Sequence, residues 1–137
     1  MLEIRKYQDS DLLSLNRLLK EAYQEFGFTR KGKTNPLNQE FVAIVDNQVV
    51  GYLVLNQLYD QIRDINYGHI NYVCVLKKYQ NRGVASELFQ HVFNVCKKEQ
   101  ISYLELTSNP TRVAAHYLYQ KLEFQLRKTD VFRKEII

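Results

Sequence analysis

Residues 72–98 constrain the fold more than any other part of the chain, because their pattern changes from strand to helix within a few positions. Residues 73–76 form an apolar, β-branched run, which is typical of a buried strand. After a short polar segment and Gly83, apolar residues recur at helical spacing on one broad face. These residues are Val84, Ala85, Leu88, Phe89, Val92, Phe93, Val95 and Cys96. The stretch therefore predicts a strand, a loop and an amphipathic helix.

The polar segment between this strand and this helix has the features of a phosphate-binding site. The first four N–H groups of a helix lack partners, and the helix dipole places roughly half a positive charge at that end. Such an end binds phosphate. Gly83 allows a ligand close to the backbone because it has no Cβ, and Gln80 and Arg82 add donors. We therefore predict that this loop binds a pyrophosphate.

The residues of the loop also identify a family. The chain has neither of the common nucleotide-binding patterns, Gly-x-x-x-x-Gly-Lys-Ser/Thr and Gly-x-Gly-x-x-Gly. Its loop reads Gln80-Asn81-Arg82-Gly83-Val84-Ala85 directly after a strand. This resembles the Gln/Arg-x-x-Gly-x-Gly/Ala signature of the GCN5-related N-acetyltransferases, in which the loop and the helix start hold the pyrophosphate of acetyl-CoA. The coenzyme contacts implied by the resemblance are Gln80, Asn81, Arg82, Gly83, Val84, Ala85 and Ser86.

The same resemblance assigns a role to the strand before the loop. In the family, the backbone of this strand binds the acetyl carbonyl and the pantetheine amides. The matching residues here are Val73, Cys74 and Val75. A backbone N–H that polarises the carbonyl gives oxyanion-type stabilisation. Only a core role is expected for the side chains, and Cys74 is not predicted to be a nucleophile.

A second segment, residues 115–124, resembles the family pattern Ala-x-x-Leu/Phe-Tyr-x-x-x-Gly-Phe. On this match, Tyr119 takes the position of the tyrosine that often protonates the departing thiolate. A phenol with a pKa near ~10 is protonated at neutral pH and can donate its proton as the C–S bond breaks. The alternative is that Tyr119, one of ten tyrosines in the chain, only packs.

Two residues depart from the family pattern. Glu123 stands where the family usually has glycine, and a non-glycine residue in a left-handed turn costs roughly 1 kcal/mol. Arg112 stands where the family often has an asparagine that contacts the coenzyme. Arg112 either reaches a coenzyme phosphate or lies on the surface.

Acetyl transfer to an amine also requires the amine to be neutral, so a general base is expected. Glu105 lies on the strand before Tyr119, where some family members place a glutamate. It is either this base or a surface residue of the strand. Weaker candidates for the same role are Asp60, Asp64, His69 and Tyr72.

The composition narrows the class of protein. A chain of 137 residues with 45% apolar residues predicts a single domain over residues 1–137 with its own core. The net charge of +4 is too small and scattered to indicate nucleic acid, but it suits a polyanion such as coenzyme A. No apolar run approaches the ~20 residues of a membrane span, and no signal peptide is recognisable. Cys74 and Cys96 fall in apolar patterns, which is typical of free thiols in the cytoplasm. The histidines show no metal-ligand spacing, so no metal is expected.

The remaining patterns predict a mixed α/β fold. Strands are predicted at residues 2–6, 41–45, 49–55, 67–76, 103–107 and 124–136. A helix is predicted from residue 12 to before Gly27, and another begins with Pro110 at its first position. The resemblance implies a GNAT-type mixed, mainly antiparallel sheet flanked by helices, with splayed central strands. It also implies that the polar loop at residues 29–39 helps to shape the acceptor site.

The leading hypothesis is an acetyl-CoA-dependent N-acetyltransferase that moves acetyl from coenzyme A directly to a primary amine. The small size of the chain favours a small-molecule amine, and a protein N-terminus or a lysine side chain is the alternative. A second hypothesis is a non-catalytic acyl-CoA-binding or regulatory module on the same fold, which Glu123 favours and Tyr119 disfavours. No nucleic acid or membrane partner is expected, and a homodimer is left open.

Overall fold

The computed structural model describes residues 1–137. They form two units, Met1–Thr107 and Ser108–Ile137. The strands are β1 (Glu3–Lys6), β2 (Asn38–Val45), β3 (Gln48–Asp60), β4 (Ile65–Val75) and β5 (Ile101–Glu105). The helices are α1 (Leu12–Ala22), α2 (Val84–Lys98) and α3 (Val113–Lys121). The prediction of one domain over the whole length stays a prediction.

The first unit contains a five-stranded sheet in the order β1-β2-β3-β4-β5. The first four strands pair antiparallel, whereas β4 and β5 are parallel. A parallel pair needs a crossover connection, and α2 provides it. The mixed, mainly antiparallel sheet with flanking helices is therefore confirmed. β3 continues beyond its predicted end at residue 55, and β4 begins before its predicted start at residue 67. An antiparallel hairpin keeps its backbone hydrogen bonds even where its residues are polar.

The two helices of this unit pack on opposite faces of the sheet. The buried residues of α1 cluster with Val42 and Ile44, whose side chains share one face. On the other face, the ring of Phe41 lies 5.3 Å from that of His91 in α2. A Cβ built at Gly51 would lie 3.0 Å from Leu88 Cδ1 in α2, so a larger residue there would have to displace that side chain. The packing fixes where the first turn of α2 lies relative to the sheet.

Two predictions for the second unit are wrong. α3 begins at Val113, not at Pro110, because Asn109 Oδ1 accepts hydrogen bonds from the N–H and hydroxyl of Thr111, both at 2.9 Å. Such side-chain bonds hold a turn in place of a helix. The strand predicted at residues 124–136 is absent, since residues 124–137 have no regular secondary structure. A strand needs a partner for its backbone groups, and the unit Ser108–Ile137 contains no other strand.

The turn after α3 has the left-handed geometry for which the family uses glycine. Glu123 has a φ of 68°. Its N–H donates to Gln120 O at 3.0 Å, and Phe124 N–H donates to Tyr119 O at 2.9 Å. The rings of Tyr119 and Phe124 lie 5.9 Å apart. These two bonds and the apolar contact form the Schellman ending of a helix. The chain therefore keeps the left-handed turn of the family pattern, and the backbone strain of that conformation falls on Glu123.

Glu123→Gly should leave the free energy of unfolding unchanged or raise it by up to roughly 1 kcal/mol. Glycine removes the left-handed strain of ~1–2 kcal/mol but adds entropy to the unfolded chain. Urea unfolding of the parent and the variant measures the difference. Lys121→Gly, in the last helical position of the same α3, is the control and should lose stability. A loss of similar size in Glu123→Gly would show that strain at this turn is absent.

Candidate functional site

The loop after β4 ends in a left-handed glycine at which α2 begins. Asn81 and Gly83 have φ values of 61° and 80°. The first backbone hydrogen bond of α2 runs from Glu87 N–H to Gly83 O, at 3.0 Å. Three N–H groups precede this bond, those of Val84, Ala85 and Ser86. Together with the helix dipole they make an end that favours an anion.

The space in front of this helix end is open and carries positive charge at its rim. No atom lies within 4 Å of a Cβ built at Gly83, so glycine is required there by the backbone conformation and not by crowding. Arg82 is exposed, and its guanidinium lies 5.5 Å from the ring centre of Tyr79. Lys78 Nζ lies 5.9 Å from the same ring centre. A polyanion that approaches α2 therefore meets cations first.

The pairing of β4 with β5 ends before β4 does. It involves Asn66, Gly68 and His69 of β4, and β5 ends at Glu105, the partner of His69. Val73, Cys74 and Val75 therefore have no strand on that edge, in agreement with the predicted splay of the central strands. Gln80 Nε2 donates to Val75 O at 3.1 Å and connects the loop to the end of β4. The structure thus brings the predicted strand residues and the predicted loop residues together.

A β-bulge lies just before this free edge. Between the pairs Tyr52–Cys74 and Val54–Asn71, β4 contains one more residue than β3. Tyr72 lies within the bulge and has a φ of 54°. A left-handed residue of this size costs roughly 1–2 kcal/mol, and such outliers cluster at functional sites. The ring of Tyr72 packs edge-on against Phe28, 5.9 Å away.

A cavity of about 500 Å³ opens beside the bulge. Its lining combines aromatic rings, side-chain amides and cations from the loop after α1 and from β2, β3 and β4. The residues of these three kinds are Phe26, Phe28, Tyr52, Tyr72, Asn38, Asn56, Asn71, Arg30, Lys31 and Lys33. Much of the polar loop at residues 29–39 therefore borders this cavity.

A hydrogen-bonded network of three side chains closes one side of the cavity. Arg30 donates to both carboxylate oxygens of Glu40, at 2.6 and 2.8 Å, and the Tyr52 hydroxyl donates to Oε1 at 2.5 Å. Burial opposes ionisation of Glu40, but the bonds from Arg30 and Tyr52 outweigh it, so the pKa of Glu40 is lowered. Burial and the bond to Glu40 raise the pKa of Tyr52. Glu40 is therefore ionised, and both of its carboxylate oxygens already accept hydrogen bonds.

Sequence reasoning missed this network. Arg30 and Glu40 are ten residues apart, and Tyr52 is twelve residues beyond Glu40. None of the three residues belongs to a recognisable motif. The coenzyme loop can be recognised because its residues are contiguous, whereas the residues of this network are far apart in the sequence. The alternation of β2 and β3, which places Glu40 and Tyr52 on one face, is the only signal that links two of them.

The candidate bases lie in different places. Glu105 is the exposed last residue of β5 and pairs with His69 across the strands. Asp60 is in an ion pair with Arg63 at 2.7 Å, and Asp64 accepts a hydrogen bond from Tyr59 at 2.7 Å. Asp60 and Asp64 are thus engaged at the β3–β4 turn, whereas Tyr72 borders the cavity.

Tyr119 lies on α3 in the second unit and is buried, with 8% of its surface exposed. Burial raises the pKa of its phenol above the ordinary value, and the positive charge of Arg112 opposes this rise. The phenol is therefore protonated at neutral pH. Arg112 is the exposed residue directly before α3. A protonated phenol can act as a proton donor, as the motif predicts.

Other features concern the whole chain. None of its helices has the length and apolar character needed to cross a bilayer. No group of three or more histidine, cysteine or acidic side chains is arranged to hold a metal ion. Cys74 and Cys96 are buried and outside any disulfide, and burial raises the pKa of Cys96 to about 11.

Comparisons with known proteins identify the family. Residues 5–124 match the model of the acetyltransferase (GNAT) family. An N-alpha-acetyltransferase of Saccharolobus solfataricus is 34% identical over 128 residues, which cover 83% of this chain and 72% of the relative. An L-amino acid N-acetyltransferase of Escherichia coli is 29% identical over 94 residues, 66% of this chain and 56% of the relative.

A solved structure shows the same fold. The aminoglycoside acetyltransferase from an uncultured soil metagenomic sample, crystallised with trehalose, is 16% identical and has a TM-score of 0.85. The match covers 99% of this chain and 96% of that one. The family match spans most of the length, and the curated relatives are N-acetyltransferases. This chain therefore belongs to the acetyltransferase (GNAT) family and is an N-acetyltransferase.

Proposed function

We propose that the chain transfers acetyl from acetyl-CoA directly to the primary amine of a small molecule. The observation that carries this proposal is the pairing of two features in one place. The start of α2 offers free N–H groups to a pyrophosphate, and the adjacent edge of β4 is free of any strand. A coenzyme with a pyrophosphate at one end and amides and a thioester at the other fits both.

The coenzyme would lie along β4 with its phosphates at α2. The N–H groups of Val84, Ala85 and Ser86 would bind the pyrophosphate, and Arg82 would add charge from the rim. The free edge at Val73, Cys74 and Val75 would hydrogen-bond the pantetheine amides. One of its N–H groups would polarise the acetyl carbonyl and stabilise the oxyanion that forms there.

The transfer needs one proton donor and one proton acceptor. The amine nitrogen attacks the carbonyl carbon, the C–S bond breaks, and the thiolate takes a proton from Tyr119. The attacking amine loses a proton to a base, for which Glu105 is the first candidate. The phenolate left on Tyr119 recovers its proton from solvent. The raised pKa of Tyr119 supports its role, because it keeps the phenol protonated before each turnover.

The names of the relatives favour an α-amine as the acceptor. One is an N-alpha-acetyltransferase and the other an L-amino acid N-acetyltransferase. A protein N-terminus is the second candidate on the same ground. Cys74 and Cys96 are outside any disulfide, which fits a cytoplasmic location. The homodimer stays a prediction.

Acetyl-CoA at a hundredfold excess over its dissociation constant should stabilise the parent by roughly 2.7 kcal/mol. Gly83→Val should abolish this shift, since its side chain would fill the space in front of the helix end. Thermal unfolding with and without acetyl-CoA measures the shift.

Gly27→Val is the matched control for this experiment. Gly27 has a left-handed φ of 60° and, like Gly83, nothing within 4 Å of a built Cβ. It bears the same kind of strain outside the loop, so its variant should keep the shift. If Gly83→Val binds acetyl-CoA as tightly as the parent, the loop is not the pyrophosphate site.

Tyr119→Phe should keep the affinity for acetyl-CoA and lower kcat by roughly 10²-fold or more, the usual scale for a positioned proton donor. Because the pKa of Tyr119 is raised, the loss of kcat at high pH in the parent should begin above ~10, and the variant should lack this limb. An acyl donor with a thiol of lower pKa should narrow the gap. Steady-state thiol release measures each effect.

Tyr117→Phe is the control, because Tyr117 lies on the same helix and is 73% exposed. Its kcat should equal that of the parent. Weaker acetyl-CoA binding with unchanged kcat in Tyr119→Phe would make Tyr119 a packing residue.

A further inference from the structure

We propose that the cavity beside the β4 bulge accepts a short peptide with a free amino end, an apolar first side chain and a carboxylate roughly three residues away. This deepens the proposed acetyl transfer and rests on it. The argument has three parts, which concern the aromatic wall, the charge of the lining and the length of a row of amides.

An aromatic cluster forms one wall of the cavity. Phe28 stacks on Phe26 at 5.1 Å between ring centres and meets Tyr72 edge-on. Phe26 is 66% exposed and Tyr72 is 44% exposed. The left-handed backbone of Tyr72 costs free energy, and its ring packs edge-on against Phe28 and Tyr23. Exposed rings held by a strained bulge indicate a surface for an apolar side chain, next to the edge where the acetyl group would lie.

The charge of the lining excludes a polycation and favours a carboxylate. Glu40 is the only acidic residue that borders the cavity, and Arg30 and Tyr52 already occupy its oxygens. Arg30 is neutralised in the same pair, so Lys31 and Lys33 remain as exposed cations. A polyamine or aminoglycoside would find no free carboxylate here. An anionic group would find two lysines.

A row of three hydrogen-bonded amides crosses the lining of the cavity. Asn71 Nδ2 donates to Asn56 Oδ1 at 3.1 Å, and Asn56 Nδ2 donates to Asn38 Oδ1 at 2.9 Å. The row thus runs across the cavity lining from β4 to β2. The acetyl group would lie beside the bulge, so the amine of an acceptor belongs at the β4 end. A carboxylate belongs at the β2 end, because β2 follows the loop that carries Lys31 and Lys33.

The length of this row sets the length of the acceptor. Asn71, Asn56 and Asn38 lie on three adjacent strands, and adjacent strands are ~4.8 Å apart, so the two ends are roughly 10 Å apart. In a free amino acid the amine and the carboxylate share one carbon and cannot reach both ends. An extended peptide spans ~3.3–3.6 Å per residue, so three residues cover the distance.

Thiol release from acetyl-CoA with four acceptors tests the proposal. They are Phe-Gly-Gly, its C-terminal amide, free phenylalanine and spermidine. Phe-Gly-Gly should have a kcat/KM at least roughly tenfold above each of the other three. Equal values for the acid and the amide, or a preference for spermidine or phenylalanine, would overturn the proposal. The peptide amide Phe-Gly-Asp-Gly-Gly separates the sources of the carboxylate. If this peptide is acetylated, the carboxylate that the cavity binds can come from an acidic side chain within a longer peptide. If it is not acetylated, the carboxylate must be the free carboxyl end of a short peptide.

A pair of double variants locates the effect. Lys31→Gln with Lys33→Gln should remove the difference in kcat/KM between the acid and the amide. Lys97→Gln with Lys98→Gln removes two charges at the end of α2, away from the cavity lining, and should keep the difference. If the first double variant also keeps the difference in kcat/KM between the acid and the amide, the lysines of the cavity do not bind the carboxylate.

Binding of the product separates this proposal from the proposed function. N-acetyl-Phe-Gly-Gly should raise the melting temperature of the parent more than its C-terminal amide does, whether or not transfer occurs. Turnover of other amines without this binding would overturn the peptide proposal and leave acetyl transfer standing. Binding without turnover of any amine would overturn acetyl transfer and support the peptide cavity.

Discussion

The point at which β4 stops pairing with β5 is the constraint on which the proposed coenzyme site depends. A parallel pair must be joined by a crossover, and here that crossover is α2, which begins soon after β4 ends. Because β5 pairs only as far as His69, the last residues of β4 keep a free edge. The same connection brings the start of α2 to that edge. One topological feature thus supplies both the hydrogen-bonding strand and the anion-binding helix end.

Three of the seven non-glycine residues with left-handed backbones lie in the family motifs or beside the cavity. They are Tyr72, Asn81 and Glu123. Glu123 keeps a helix ending that glycine would adopt without strain, and Tyr72 marks the bulge beside the cavity. Strain of roughly 1–2 kcal/mol at each position must be offset by the packing around it. At Tyr72 the offset comes from aromatic neighbours, which also form the wall of the cavity.

The parts of the fold that could be predicted depend on local signals. α2 follows from apolar periodicity, and the coenzyme loop follows from six contiguous residues beside a strand and a helix. The splay of the central strands followed from the family resemblance. The absent strand at residues 124–136 shows the limit, because a local sequence pattern does not reveal whether a pairing partner exists. The cavity could not be predicted from the sequence either, because Arg30, Glu40 and Tyr52 come together only when β2 and β3 pair.

The central claim is that the start of α2 and the free edge of β4 hold the coenzyme. An amide NMR titration with coenzyme A tests it directly. The account predicts the largest shifts in the N–H resonances of Gly83, Val84, Ala85 and Ser86, with a second group at Val73, Cys74 and Val75. Resonances of the cavity loop at residues 26–33 should move less. Unmoved N–H resonances at Gly83, Val84, Ala85 and Ser86, with the largest shifts at residues 26–33, would contradict the account.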